Sequence, residues 1–313
     1  MNHTSRKLSR KILIGITVLA LLIFALAVPA PSFAAASGAS AENDSASSSS
    51  SKTTSTTFTY SYSNLYDKAS QKKVSRALSA AGISQKNISN FLKNVNNYNQ
   101  TIKGTGLVKS GFKTMKNSLP KYNDVKQSQL WEKKYSSFPG NNCRITAYSL
   151  LNGKISVKNY AKDKYTTLFL DKEALSETPY PFLSAASKKQ FLSFYAPVTT
   201  TLTKNQTVHE KKLLAAWKKR GVSFKTGKAE LISVVMHSYF SRNEDYLFIG
   251  HTGVLVKSGS GYLFIEKLSF ESPYQAVKFS SKKDLKVYLL KTYDVDQNQP
   301  TAHPFIMENN KML

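Results

Sequence analysis

Cysteine is almost missing from this chain: Cys143 is the only one in 313 residues. A single cysteine excludes an intramolecular disulfide, so the fold must stand on its apolar core without the staples of small secreted domains. It also excludes a paired-cysteine metal site, and no H-E-x-x-H motif or ligand-spaced histidine set replaces it. No glycine-rich phosphate loop is present either, so neither metal nor cofactor is expected. Acidic residues are scarce, 19 against 44 Lys and Arg, for a net charge of +25. The basic residues are scattered as singles and pairs, without an arginine-rich cluster or aromatic-interleaved RNA signature, so nucleic acid is not an expected partner. The positive field suits an anionic cell-wall polymer or a membrane surface. The blander reading is that it only keeps the protein soluble.

What is present begins with Arg6, Lys7, Arg10 and Lys11, followed by an apolar run from Ile12 to Val28 and then Pro29 and Pro31. This pattern reads as a secretory signal over residues 1–34, cut near Ala34 or Ala36. The expected location is therefore extracellular, with association at the cell wall. The 17-residue run only just reaches the length of a bilayer span, so membrane attachment is expected only if the segment is retained as an anchor. No cysteine follows it to carry a lipid. Residues 35–57 are nearly all Ala, Ser and Thr, a composition that cannot bury enough apolar surface to order itself, and they read as a disordered linker. Residues 58–313 remain as a single domain.

Its first half reads helical. Leu65, Ala69, Val74, Ala77, Leu78 and Ala81 form one stripe closed by Gly82; Ile88, Phe91, Leu92 and Val95 follow a Ser84 cap; a third helix ends near Pro139. In "TVHEKKLLAAWKKRG", Thr207 and Glu210 fit a capping box and Gly221 a stop, which leaves His209 in the first turn, facing solvent. The texture then changes. "LISVVMHSYF", "DYLFIGHTGVLVK" and "GYLFIEKLSF" are rich in β-branched and aromatic residues and are separated by "SRNE" and "SGS", an antiparallel meander to which "YQAVKF" adds a strand. A last helix covers "SSKKDLKVYLLKTY". Helices first and strands later predict an α+β fold, with the cysteine helix of the N-terminal half packed on a C-terminal antiparallel sheet.

Cys143 lies where "PGNN" turns into "CRITAYSLL". If Asn141 or Asn142 caps that helix, the cysteine sits in its first turn, where unpaired N–H groups, the helix dipole and neighbouring Arg144 all favour a thiolate. A nucleophilic thiolate needs a base. His251 in "FIGHTGVLV" sits at a strand entry between two glycines that permit close approach of another element. With Ser258 opposite Gly261, Glu266 falls diagonally on the face of His251 and can orient the imidazole, while Lys267 points away. The same parity puts His237 on that face too, as an alternative third member or base; one bulge would reverse either assignment. An oxyanion hole would combine the Cys143 N–H with Gln129, Tyr135 or Asn142, among which the sequence does not choose. A nucleophile predicts a partly exposed Cys143 beside an imidazole. Packing predicts an enclosed sulfur with His251 bonded elsewhere.

The order cysteine at a helix start, histidine on a strand, polar residue on the adjoining strand resembles papain-like hydrolases, including cell-wall endopeptidases of the NlpC type. The flanks differ: N-C-R-I stands where papain has a small Ser-Cys-Trp context. A closer resemblance, carried by "LVKSGFKT", "NNCRITAYSLL", "LFIGHTGVL", "LFIEKLSFESPYQAVKF" and "PFIMEN", is to an uncharacterised family of exported bacterial proteins, domain of unknown function 4300. It implies a compact domain holding Cys143 and His251 in matching motifs. Two functions are carried forward: a secreted cysteine peptidase or amidase acting on peptidoglycan peptides through Cys143, His251 and Glu266, and a noncatalytic basic wall- or surface-binding protein in which Cys143 is structural. Thiol redox or transacylation chemistry on the same cysteine is a third.

Overall fold

The computed structural model describes residues 58–313; the expected signal segment and linker lie outside the described residues. The chain starts on a short strand, β1 (Thr59–Ser63), whose Tyr60 and Tyr62 alternate with small polar residues. Two helices follow, α1 (Lys68–Ala80) and α2 (Gln85–Thr101), N-capped by Asp67 and Ser84. After β2 (Lys113–Lys116) come α3 (Asp124–Lys134), α4 (Cys143–Leu150), β3 (Ile155–Ser156), α5 (Phe169–Glu177), α6 (Ala185–Tyr195), β4 (Val198–Thr199) and α7 (Gln206–Arg220). A short β5 (Ser223–Phe224) pairs with β3 in a separate two-stranded sheet. The meander is β6 (Ala229–Ser241), β7 (Glu244–Ser258), β8 (Gly261–Lys267) and β9 (Tyr274–Phe279), and the chain ends with α8 (Lys282–Tyr293), β10 (Phe305–Glu308) and β11 (Lys311–Met312).

The main antiparallel sheet runs β11-β10-β6-β7-β8-β9-β1-β2, with β4 added beside the start of β7. Both faces are covered, and the strands show it: Leu231, Val235, Val254, Leu263, Ile265, Ala276 and Met307 enter one core, while Ile232, Val234, Leu255, Phe264, Val277 and Ile306 enter the other. Helices α1 to α7 contribute to the first core; Leu285, Tyr288 and Leu289 of α8 to the second. The fold is a mixed α+β arrangement with eight helices among the described residues. The helices-then-strands reading misses the two edges, where β1 and β2 come from the N-terminal half and β10 and β11 from the C-terminus. None of the described helices is long and apolar enough to cross a membrane.

The register is regular except at one point that matters. Val234 pairs with His251 but Val235 pairs with Ile249, so Gly250 is the extra residue of a bulge in β7. Upstream of it the faces are exchanged. His237 pairs with Leu247 and shares the face of Val235 and Ile249, opposite to that of His251. The expectation that His237 shares His251's face is therefore wrong, because a single inserted residue reverses the alternation of everything beyond it. His209 is corrected as well: it is fully buried, not solvent-facing. The helix that carries it is capped by Asn205, whose side chain accepts from the N–H groups of Thr207 and Val208. That replaces the Thr207–Glu210 box.

Candidate active site

A gap in the strand ladder makes the site. On one edge β7 pairs with β4 at Tyr246 and Leu247 and with β8 from Gly253 onward. Between them the N-terminus of α4 moves in: Arg144 Nη1 donates to the Ile249 carbonyl (3.0 Å), and Cys143 Sγ lies 4.0 Å from the Gly250 carbonyl. Ile145 and Leu150 of α4, and Leu151 just after it, are fully buried in the first core. Each contributes about 1.5–3 kcal/mol, enough to hold the helix end in place. Gly140, at φ +95°, makes the preceding turn possible, since a side chain there would collide with the Phe270 carbonyl.

Asn142 is the N-cap, accepting the Ile145 N–H at 2.9 Å, and its amide nitrogen donates to Asp171 of α5 at 2.8 Å. Asp171 is fully buried and also receives Arg144 in a two-point contact, Nε to Oδ1 at 2.9 Å and Nη2 to Oδ2 at 2.6 Å. This clamp aims the guanidinium beside the thiol. Burial works against the Arg144 charge, but Asp171 outweighs it and holds the guanidinium protonated.

The thiol has the Gly250 carbonyl as its hydrogen-bond partner at 4.0 Å, and the charge of the neighbouring His251 imidazole acts on it. The Nε2 of His251 meets Glu266 Oε2 at 2.7 Å, which leaves Nδ1 for the thiol. Glu266 is oriented in turn: its Oε1 accepts from the Tyr288 hydroxyl at 2.7 Å and from Gln275 Nε2 at 3.3 Å. Tyr293, at the end of α8, stacks on the imidazole with ring centres 4.6 Å apart. Burial pushes the Cys143 thiol up, yet the His251 charge and its hydrogen bond, then Arg144, outweigh it, and the net shift is downward. Burial pushes His251 down, yet the Cys143 thiolate and then Glu266 outweigh it and raise the imidazole to about 9. The two shifts run in opposite directions, each driven by the charge of the other group.

Cys143, His251 and Glu266 are thus brought together, and Lys267 is on the opposite face, its ammonium donating to the carbonyls of Ser269, Phe270 and Ser272. The Cys143 side of the expectation fails in one respect: the residue is 5% exposed, so the sulfur is enclosed as well as paired. Of the three oxyanion candidates, Gln129 is exposed on α3, and Tyr135 donates its hydroxyl to Asn97. Asn142 adjoins Cys143, but its amide is engaged at both ends. The backbone N–H of Cys143, at the first helical position, lies outside the intrahelical ladder and is the donor the fold itself supplies. The sequence reading missed the Arg144–Asp171 clamp and the Tyr288 and Tyr293 contacts. An aspartate inside "LFLDKEAL" and a tyrosine on the apolar stripe of α8 were the signals.

The family model described as Domain of unknown function (DUF4300) matches residues 61–313. No curated protein and no solved structure matches the chain.

Proposed function

This chain belongs to the DUF4300 family, and from that premise we propose that it is a cysteine hydrolase, a peptidase or amidase. One observation carries the reading: a buried cysteine at a helix N-terminus neighbours an imidazole whose charge acts on it, and a buried carboxylate orients that imidazole from behind at 2.7 Å. A packing cysteine has no use for that arrangement. Taking a histidine and a glutamate out of water costs several kcal/mol unless their charges are used or paired. The order of the three groups along the chain resembles that of papain-like hydrolases, which supports the same reaction class by analogy.

In the proposed mechanism the Cys143 thiolate attacks the acyl carbon of the substrate, and charge develops on the acyl oxygen near the Cys143 N–H. His251 Nδ1–H then gives its proton to the departing nitrogen, leaving a thioester on Cys143. The now neutral His251 takes a proton from water as the water attacks the thioester, and collapse restores thiolate and imidazolium. Glu266 keeps the imidazole in place through Nε2 and favours its charged form. The export pattern of the N-terminus makes wall peptides the substrate class proposed first. Enclosure of Cys143 means that acylation must follow an opening of the site, and the same enclosure is what favours the rival reading of a noncatalytic basic binding protein.

The test is the ultraviolet absorbance of the thiolate across pH, referenced to Cys143→Ser, which reads the thiol whether or not reagents reach it. A thiolate formed well below the ordinary thiol value, and returned to it by His251→Ala, supports the reading. A thiol that stays protonated through neutral pH in the native protein would overturn it. Cleavage of muropeptides, lost in Cys143→Ser, then identifies the bond.

A further inference from the structure

The outer face of α2 carries Ser89, Lys93, Asn96 and Gln100 at helical intervals, with the buried Asn97 beside them. They form one wall of a groove of about 490 Å³ that Lys134 and Tyr180 complete. The groove is open to solvent along its length. Asn96 Oδ1 accepts from Gln71 Nε2 at 2.8 Å, so the Asn96 amide is fixed with its acceptor turned into the protein. Asn97 Oδ1 accepts from both the Lys134 ammonium (3.1 Å) and the Tyr135 hydroxyl (2.7 Å), so its acceptor is consumed too. Asn97 is 8% exposed, and what it has left to offer the groove is its NH₂ group.

Two cations flank these amides. Lys93 Nζ sits 4.0 Å above the Tyr180 ring, and Lys134 is held by Asn97 and by Thr101 Oγ1. No carboxylate lines the groove. A groove with amide N–H donors, two ammonium groups and no carboxylate is complementary to an acceptor-rich anion.

We propose that this groove binds the oxyanion group, carboxylate or phosphate, of a small organic ligand. The site is separate from Cys143, and the proposal stands whether or not the protein is a hydrolase. It does lie on the helix that supports the cysteine turn, since Asn94 Oδ1 accepts from Asn141 Nδ2 at 3.0 Å.

Calorimetric titration of the protein with glycerol 3-phosphate and, separately, N-acetylglutamate tests this, in salt of about 0.15 M to screen the general positive field. Saturable binding of one probe is expected and names the source, phosphate or carboxylate. The Lys93→Gln/Lys134→Gln double variant should weaken it about tenfold, a loss of about 1.4 kcal/mol. Lys218→Gln/Lys219→Gln, which removes the same charge from the exposed end of α7, should leave it unchanged. Gln100→Glu puts a carboxylate into the groove without touching the bonds that fix Asn96 and Asn97. It should weaken binding about tenfold with an unaltered melting temperature, which covers the case of a misfolded double variant. Equal losses from both lysine pairs, or no saturable binding of either probe, would overturn the proposal.

Discussion

Two buried histidine–carboxylate pairs lie on neighbouring strands with the same 2.7 Å separation, His251–Glu266 and His237–Asp245. They differ in what the second ring nitrogen meets. For His251 the neighbour is the Cys143 thiol, whose charge, with that of Glu266, raises the imidazole to about 9 against the effect of burial. For His237 it is a backbone donor: the Ala302 N–H reaches Nδ1 at 3.1 Å, which keeps that nitrogen bare and places the proton on Nε2, facing Asp245. His209 stacks on it, ring centres 4.4 Å apart, with Nε2 donating to the Thr203 carbonyl and Nδ1 accepting from Thr200. Those bonds tie β4, α7, β6 and the C-terminal segment together. A buried histidine–carboxylate pair is therefore not in itself a catalytic signature. The partner on the far side of the ring decides.

The sharpest way to break the comparison is to remove each ring. His251→Ala should cut the proposed hydrolysis by about 10²–10⁴-fold. His237→Ala should leave kcat/KM nearly unchanged while lowering stability by about 1–3 kcal/mol, because it strands a buried N–H and Asp245. Steady-state rates beside denaturant titrations read both. If His237→Ala removes activity at full stability, the assignment of roles is reversed.

Removing the carboxylates comes next in size. Glu266→Gln should lower the imidazole from about 9 and slow turnover by about 10²-fold. Asp245→Asn should leave the thiolate titration where it is. Absorbance titration of the two variants side by side separates them.

Acid pH should act on the second cluster and spare the first. Burial depresses His209 below its ordinary 6.5, with His237 adding to the depression and Asp245 opposing it. The unfolded chain then binds the proton first as pH falls, so stability is present above 6.5 and is lost below it. At the other site the two slopes oppose. The raised His251 contributes stability below 6.5 that is lost as pH rises toward 9, whereas the depressed thiol contributes stability above its ordinary value that is lost as pH falls. Melting between pH 7 and pH 5 should fall by a few degrees in the native protein and by less in His209→Gln. An unchanged slope in that variant would remove His209 as the cause.

The smallest effect is expected at Tyr293. Its stack on His251 is worth about 0.5–1.5 kcal/mol, so Tyr293→Leu should change kcat by about two- to tenfold and shift its pH profile slightly. No change would make the stack packing alone.

Much of the site was legible because it rests on local rules. The Asn-Asn turn announced the cap, and Asn142 fills it. The "SGS" turn set Ser258 against Gly261, and counting from there placed Glu266 on the face of His251. His237 was misplaced by the same count, since nothing in "FIGHTG" shows which residue bulges. His209 looked exposed because its own helix is polar around it; the cover comes from Thr200 and Thr203, on a connection whose course no local pattern reveals. Arg144 read as a charge beside the thiol, while its fixed position depends on Asp171, twenty-seven residues away.

The order of residues alone determined the helix with its cysteine, the meander, the basic surface and the pairing of adjacent strands, because caps, turns and alternation act over a few residues. Tertiary structure decided the rest. It brought α4 to an unpaired edge of β7, inserted Gly250, and enclosed the thiol with an imidazole. Those outcomes depend on contacts more than a hundred residues apart, Cys143 to His251 among them, and only packing can choose between them.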